Sequence, residues 1–139
     1  SIVVVIDVKT TGFRRRPEVV TLNATKRTGL EPVEFARRAE QLGAGEIVLN
    51  SVDRDGQMRG YDLTLVDSVQ QAIGIPLTVL GGAGSMDDVQ ALVRQYPIIG
   101  AAAGSLFVFK GKYRAVLINY PDRMTRDALV RQHGAERPA

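Results

Sequence analysis

The chain has 139 residues, of which 45% are hydrophobic and 24% charged, so it is long enough for one domain with a core and too short for two. It contains no cysteine, which excludes disulfide frameworks, thiolate metal sites and cysteine nucleophiles and fits a cytoplasmic protein. The net charge of +3 is too small and too scattered to predict a nucleic-acid interface. No apolar run is long enough to cross a membrane, and we expect a small anionic molecule as the ligand.

Buried strands alternate with amphipathic helices along the chain. The strands are β-branched runs without polar alternation, which is typical of a parallel sheet covered on both faces. The predicted elements are a strand over 1–8, a hairpin around 18–25, a helix over 31–42 with Val33, Phe35, Ala36, Ala39 and Leu42 inside, a strand over 47–52, a helix over 62–73, a strand over 76–80, a helix over 86–95 capped by Ser85, a strand over 98–102, extended pieces over 106–109 and 113–120, and a weak helix over 125–132.

This alternation predicts βαβ units with right-handed crossovers. Glycine-rich loops follow the third and fourth strands, whereas a doubly wound sheet places its phosphate loop after the first strand. Phosphate sites after the last two strands are typical of (β/α)₈ barrels, which take about 250 residues. We therefore predict an α/β fold, a single (βα)₄ domain over 1–139 that forms the C-terminal half of a longer barrel chain. The segment 122–139 is a peripheral helix and tail.

A half-barrel leaves open sheet edges and one uncovered apolar face. The sequence therefore predicts either self-association or pairing with a missing N-terminal half-barrel. We expect the uncovered face to be lined by Val3, Val5, Ile47, Leu49, Leu77 and Val79.

Two acidic motifs follow the first two parallel strands. Asp7 ends the first predicted strand between apolar neighbours, where barrel enzymes place general acids and bases, although a loop-capping role fits equally well. Asp53 and Asp55 lie in the next loop beside Gly56. Because no histidine or further acid completes a ligand set there, turn capping is favoured over metal binding. The sequence predicts neither a metal nor a cofactor.

The two glycine-rich loops predict a phosphate site. Gly81 and Gly82 lie between a strand and a helix, and Gly104 and Ser105 follow the next strand. Loops of this kind bring backbone N–H groups close to an anion. Glycines that serve only tight turns are the alternative interpretation.

Taken together, these motifs resemble the cyclase subunit of imidazole glycerol phosphate synthase. The resemblance covers residues 2–121 and only the C-terminal half of that family. Its motifs are Val4-Val5-Ile6-Asp7-Val8-Lys9, the helix entry Lys26-Arg27-Thr28-Gly29, Gly43-Ala44-Gly45-Glu46, Ser51-Val52-Asp53-Arg54-Asp55-Gly56, Gly60-Tyr61-Asp62 and Gly81-Gly82-Ala83-Gly84-Ser85.

The resemblance implies an ammonia-dependent cyclase of histidine biosynthesis that works with a glutaminase partner on a phosphorylated small molecule. It implies that Asp7 is one of two proton-transfer aspartates and that the other lies in the first half. It further implies that Asp55 and Asn50 bind substrate and that Glu46 gates ammonia at the barrel floor. By the same resemblance, phosphate binding falls to Gly81, Gly82 and Ser105, and the glycine-rich loop after the fourth strand adds Gly104.

Four positions depart from the family pattern. The family usually has Thr where Asn50 and Gln57 stand, Ser where Leu80 stands, and no glycine at Gly104. The stretches 49–51 and 80–82 and the segments 104–109 and 114–121 resemble instead a paralogue that works with an amidotransferase partner in amidating surface-polysaccharide sugars. A non-catalytic, phosphate-binding half-barrel is the third hypothesis.

Overall fold

The computed structural model describes residues 2–13, 15–96, 99–110, 115–116, 118 and 120–134. Most of these residues belong to one sheet and the helices packed against it. The strands of this main sheet are β1 (Val3–Thr11), β2 (Arg16–Thr21), β3 (Lys26–Arg27), β4 (Glu46–Ser51), β5 (Leu77–Leu80) and β6 (Ile99–Ala101). Strands β7 (Phe109–Lys110) and β8 (Ala115–Val116) pair with each other in a second, two-stranded sheet. The helices are α1 (Pro32–Gln41), α2 (Leu63–Gln70), α3 (Met86–Gln95), α4 (Ser105–Val108) and α5 (Arg123–Gly134).

Within these residues the main sheet has the strand order β3-β2-β1-β4-β5-β6. Strands β1, β4, β5 and β6 are parallel, with α1, α2 and α3 as the crossovers between them. This confirms the predicted α/β fold of a partial barrel. Strands β2 and β3 are antiparallel to their neighbours, which confirms the predicted hairpin after the first strand.

Local capping explains where the crossover helices begin. The Glu31 carboxylate accepts hydrogen bonds from the N–H groups of Val33 and Glu34 and so caps α1. At α3, the Ser85 hydroxyl accepts from the Asp88 N–H, and the Asp88 carboxylate accepts from the Ser85 N–H. This reciprocal capping box holds α3 at the boundaries predicted from the sequence.

The two faces of the sheet differ, and the predicted uncovered face was wrong in part. Ile47, Leu49, Leu77 and Val79 are buried in the core under the helices. Val3 and Val5 lie on the opposite face and are 49% and 59% exposed. The register pairs Val5 with Val48 and Val48 with Thr78, so these residues share the open face. A run of apolar residues without polar alternation does not indicate which residues face the helices.

Three further predictions need correction. Residues 106–108 form the helix α4, not an extended piece, and only Phe109 continues into a strand. Lys26 and Arg27 pair with β2 instead of entering a helix. Leu42 is the C-cap of α1 and is exposed. Of the predicted elements, residues 1 and 98, residues 113 and 114, and residues 117, 119 and 135–139 lie outside the described residues.

Candidate functional site

The parallel strands end at one edge of the sheet, and the predicted site residues other than Glu46 lie there. The loop after β4 spans residues 52–62, the loop after β5 spans 81–85, and the loop after β6 spans 102–104. Asp7 belongs to the same edge, but it does not end its strand as predicted. Strand β1 continues to Thr11 because its last residues pair with β2, while its parallel pairing with β4 ends one residue after Asp7.

Asp7 and Asn50 are direct neighbours. They are register partners in the β1–β4 pair, and Asn50 Nδ2 donates a hydrogen bond to Asp7 Oδ1 over 2.9 Å. Asn50 is in turn the register partner of Leu80. Asp7, Asn50 and Leu80 therefore form one layer on the open face of the sheet.

The loops after β4 and β5 pack closely, and this packing requires glycine. Gly82 has φ +114°, and a Cβ there would lie 2.2 Å from the Gly60 carbonyl oxygen. The Gly60 N–H donates to the Gly82 carbonyl over 2.8 Å. A Cβ at Gly84 would lie 2.3 Å from the Met58 carbonyl oxygen. These glycines thus serve the contact between the loops, whatever else they bind.

A narrow pocket lies between the three loops. Five residues predicted as binding residues line it: Asp55, Gly81, Gly82, Gly104 and Ser105. No hydrogen bond within the described residues occupies the backbone N–H groups of Gly81, Gly82, Gly104 or Ser105. These groups remain available as donors to an anion.

The Asp88 carboxylate of α3 occupies two backbone donors that precede the helix. Asp88 Oδ2 accepts the N–H groups of Gly84 and Ser85 over 2.9 Å and 3.0 Å. The sequence indicated that an acid suits this first turn, but it did not indicate that the carboxylate would accept these two N–H groups of the loop after β5.

Three contacts that sequence reasoning missed hold the loop after β4 in place. Asp53 Oδ2 accepts the Thr10 N–H over 2.6 Å. The Arg54 guanidinium donates to the Gly60 carbonyl over 3.3 Å. Tyr61 is buried, and its hydroxyl donates to the Ala102 carbonyl over 2.9 Å. Burial and the nearby Asp88 carboxylate raise the pKa of Tyr61 to about 12, so it remains a donor at neutral pH.

Glu46 lies at the other end of the sheet, as predicted. It begins β4, and its Oε1 accepts a hydrogen bond from Thr78 Oγ1 over 2.7 Å. Gly100 is the register partner of Thr78, and a Cβ there would lie 2.1 Å from Thr78 Oγ1. The hydroxyl that holds Glu46 therefore occupies the space that a side chain at position 100 would need.

The described part of the chain also bears on metal binding and on membrane insertion. No group of three or more acidic or histidine side chains converges there in a way that could hold a metal ion. None of its helices combines the length and the apolar character of a membrane span.

Comparisons with known proteins agree on one family. The sequence profile of a family described as "Histidine biosynthesis protein" matches residues 1–114. A protein of Leptospira interrogans, provisionally named imidazole glycerol phosphate synthase subunit HisF, is 51% identical over 129 residues. A protein of Vibrio vulnificus, provisionally named subunit hisF3 of the same synthase, is 54% identical over 121 residues. The subunit HisF of Alkaliphilus metalliredigens is 45% identical over 107 residues.

The chain spans about half the length of these curated relatives. The alignments cover 93%, 87% and 77% of this chain but only 51%, 46% and 42% of the relatives.

Proposed function

The chain belongs to the histidine biosynthesis protein family, and we propose that it is the C-terminal half of a cyclase barrel of the imidazole glycerol phosphate synthase type. In this proposal the half-barrel is one domain over 1–139, in which 122–139 is peripheral. It binds a phosphorylated small molecule and supplies one of two proton-transfer carboxylates, and it acts in the cytoplasm. The observation that carries the proposal is the position of Asp7 at the same sheet edge as the pocket lined by Gly81 and Ser105.

The edges of the sheet support a half-barrel. Val3–Ile6 in β1 pair with β4 on one side and, among the described residues, with no strand on the other. An apolar pocket of about 450 Å³ lies beside this edge and is lined by Ile2, Val4 and Phe35, among others. A barrel closes both edges of its sheet. A first half-barrel would pair with the free part of β1 and cover these side chains.

The proposed phosphate site uses backbone donors. The pocket between the loops offers the N–H groups of Gly81, Gly82, Gly104 and Ser105, and Asp55 lies at its wall. Such donors bind a phosphate without a cationic side chain. Phosphate sites after the last two strands are common in (β/α)₈ barrels.

The proposed chemistry is general acid–base catalysis. Asp7 would exchange a proton with the substrate, and a carboxylate of the first half would do the same from the opposite side. Ammonia would come from a glutaminase subunit at the other end of the barrel. Glu46 lies at that end of the open face, where a charged side chain can control the passage of a small polar molecule.

A second candidate function is favoured by one layer of the sheet. Asn50 and Leu80, two of the departures from the cyclase pattern, both lie in the layer of Asp7. A third, Gly104, lines the pocket. Departures from the cyclase pattern that lie around the proposed reacting groups support a different substrate bound at the same phosphate site. The paralogue that amidates polysaccharide sugars with an amidotransferase partner is such a case.

The test restores the missing half. The chain is fused behind the first half of the Leptospira interrogans relative, and turnover of the cyclase substrate is measured with ammonium as the nitrogen source. We expect turnover, and we expect Asp7→Asn to lower it about a hundredfold or more because proton transfer is lost. Asp67→Asn is the matched control, since Asp67 lies on α2 and accepts from Tyr96. Full activity of the Asp7 variant would remove Asp7 from the mechanism.

Phosphate binding is tested separately on the chain alone. Titration with inorganic phosphate should shift the amide signals of Gly81, Gly82, Gly104 and Ser105 in ¹⁵N NMR spectra. Ser105→Asp, which adds a negative charge to the pocket, should abolish the shifts, whereas Ser105→Asn should retain them. A fusion that binds phosphate but does not turn over the cyclase substrate would favour the second candidate. Amides that do not move in the wild-type chain would contradict the phosphate site.

A further inference from the structure

The two ends of the Asn50 side chain have different surroundings. Nδ2 donates to Asp7 Oδ1 over 2.9 Å. Oδ1 is buried and has no hydrogen-bond partner among the described residues. Most buried polar atoms are paired, and a buried acceptor without a partner costs free energy. We therefore ask whether the hydrogen bond that Nδ2 donates to Asp7 explains why Oδ1 is left without a partner.

The orientation of the amide follows from its neighbour. If the amide were reversed, Oδ1 would face the Asp7 carboxylate, and two acceptors would meet without a proton between them. The Asp7 contact thus fixes Nδ2 toward β1 and turns Oδ1 toward the loop after β5. On that side, a Cβ at Gly81 would lie 2.9 Å from Asn50 Oδ1 and 2.6 Å from the Ser51 carbonyl oxygen.

Gly81 therefore makes room for Asn50 as well as lining the pocket. It has φ +89°, and only a residue without a side chain fits beside the Asn50 amide there. The amide is enclosed between the Asp7 carboxylate and the backbone of Gly81. Because Oδ1 is buried, it offers no acceptor to a bound substrate.

We propose that Asn50 is a positioning residue, which holds the Asp7 carboxylate in a fixed orientation relative to the pocket that Gly81 lines. It acts through Asp7 and does not accept a hydrogen bond from the substrate. In this proposal, the packing of Gly81 against Asn50 and the hydrogen bond from Asn50 to Asp7 fix the distance between the proposed phosphate site and the Asp7 carboxylate. Small errors in such a distance lower rates strongly. The inference rests on the proposed role of Asp7.

The kinetic test separates positioning from substrate contact. In the fused barrel, Asn50→Leu keeps the approximate volume but removes the donor. We expect kcat to fall about tenfold or more, while KM for the phosphorylated substrate changes less than about threefold. Asn50→Asp, which replaces the donor with a like charge, should lower kcat at least as much. Asn50→Thr, which retains a donor, should keep more activity than the leucine variant.

Gln70 provides a matched control. Its Oε1 is also a buried amide oxygen without a partner in the described part of the chain, but Gln70 lies at the end of α2. Gln70→Leu should leave kcat unchanged. Equal losses in the Gln70 and Asn50 variants would reduce the Asn50 effect to general destabilisation and overturn the proposal. A raised KM with unchanged kcat in Asn50→Leu would also overturn it, because that result indicates direct substrate binding.

A spectroscopic test does not depend on turnover. The side-chain NH₂ signals of Asn50 in ¹⁵N spectra of the chain alone should move in the Asp7→Leu variant and stay in Asp67→Asn. Unmoved signals in Asp7→Leu would show that the contact with Asp7 does not form and would overturn the proposal. This outcome differs from failure of the proposed function, which appears as missing phosphate shifts or missing turnover while the contact between Asn50 and Asp7 persists.

Discussion

The two faces of the parallel sheet come from alternate residues of the same strands, yet they differ in almost every property. On the helix-covered face, Leu49 is only 1% exposed, and its neighbours Ile6, Ile47 and Leu77 are fully buried. On the open face, Val5 is 59% exposed, and the polar side chains of Asp7, Asn50, Glu46 and Thr78 lie there by register. One face therefore stabilises the fold, and the other carries the groups to which we assign binding and proton transfer.

The carboxylates of the open face divide in the same way. Glu18, the register partner of Lys9, accepts hydrogen bonds from Thr11, from the Gly29 N–H and twice from the Arg27 guanidinium. Among the described contacts, Asp7 and Glu46 each accept a single side-chain hydrogen bond. A carboxylate offers about four acceptor positions. Glu18 is thus saturated and structural, while Asp7 and Glu46 keep acceptor capacity for a ligand.

The largest effect should come from truncation on the covered face. Leu49→Ala leaves a cavity in the core and should lower the free energy of unfolding by about 2–5 kcal/mol. Val5→Ala, on the adjacent strand but the open face, should change it by about 0.5 kcal/mol or less. Urea denaturation followed by circular dichroism measures both. Similar losses for the two variants would mean that the open face is covered in solution, for example by self-association.

An intermediate effect is expected from the glycines of the pocket. Gly82→Ala forces an alanine to adopt φ +114° and to meet the Gly60 carbonyl. The strained backbone alone should cost about 1–3 kcal/mol. Gly104→Ala should change stability by about 0.5 kcal/mol or less, because, apart from its chain neighbours, no heavy atom of the described residues lies within 4 Å of the position of its Cβ. If the two variants had the same thermal unfolding temperature, that result would contradict the close contact between the loops after β4 and β5.

The smallest effect concerns the saturated carboxylate. Hydrogen bonds from Arg27, Thr11 and the Gly29 backbone lower the pKa of Glu18 from 4.5 to about 2. Because the folded-state pKa lies below the unfolded value, the stabilisation is complete above about pH 4.5 and is lost as the pH falls toward 2. Glu18→Gln should remove this part of the acid dependence in denaturation curves measured across that range.

Arg27→Gln serves as its control. It removes the hydrogen bonds from Arg27, which are the largest cause of the lowered Glu18 pKa, and should weaken the same acid dependence while Glu18 stays in place. An unchanged acid dependence in both variants would place the acid-sensitive group elsewhere in the chain.

Much of the fold could be predicted because its signals are local. The helix over Met86–Gln95 was predicted to the residue, since Ser85 and Asp88 are adjacent cap residues that need no distant partner. Which residues of each strand face the helices could not be predicted. Val3, Val4 and Val5 are identical in character, so only packing against α1 distinguishes the valine that faces the core.

The sequence indicated the members of the candidate site but not their contacts. It pointed to the glycine loops and to Asp7 because glycines and acids near the carboxyl ends of strands have characteristic positions in such folds. The contact between Asn50 and Asp7 joins residues 43 positions apart, and the close approach of Gly82 to Gly60 depends on how two loops meet. Neither contact has a signal in a single sequence, since both depend on tertiary packing.

The close fit of Thr78 against Gly100 has a consequence for how this sequence can change over generations. A side chain at position 100 would collide with Thr78 Oγ1 at 2.1 Å, so a mutation there is deleterious while the threonine remains. Replacement of Thr78 by a smaller residue, at the loss of its hydrogen bond to Glu46, would remove the shortest of these contacts, although the Cβ of residue 78 would still lie 3.0 Å from a Cβ at position 100. We therefore expect the effects of mutations at the two positions to depend on each other.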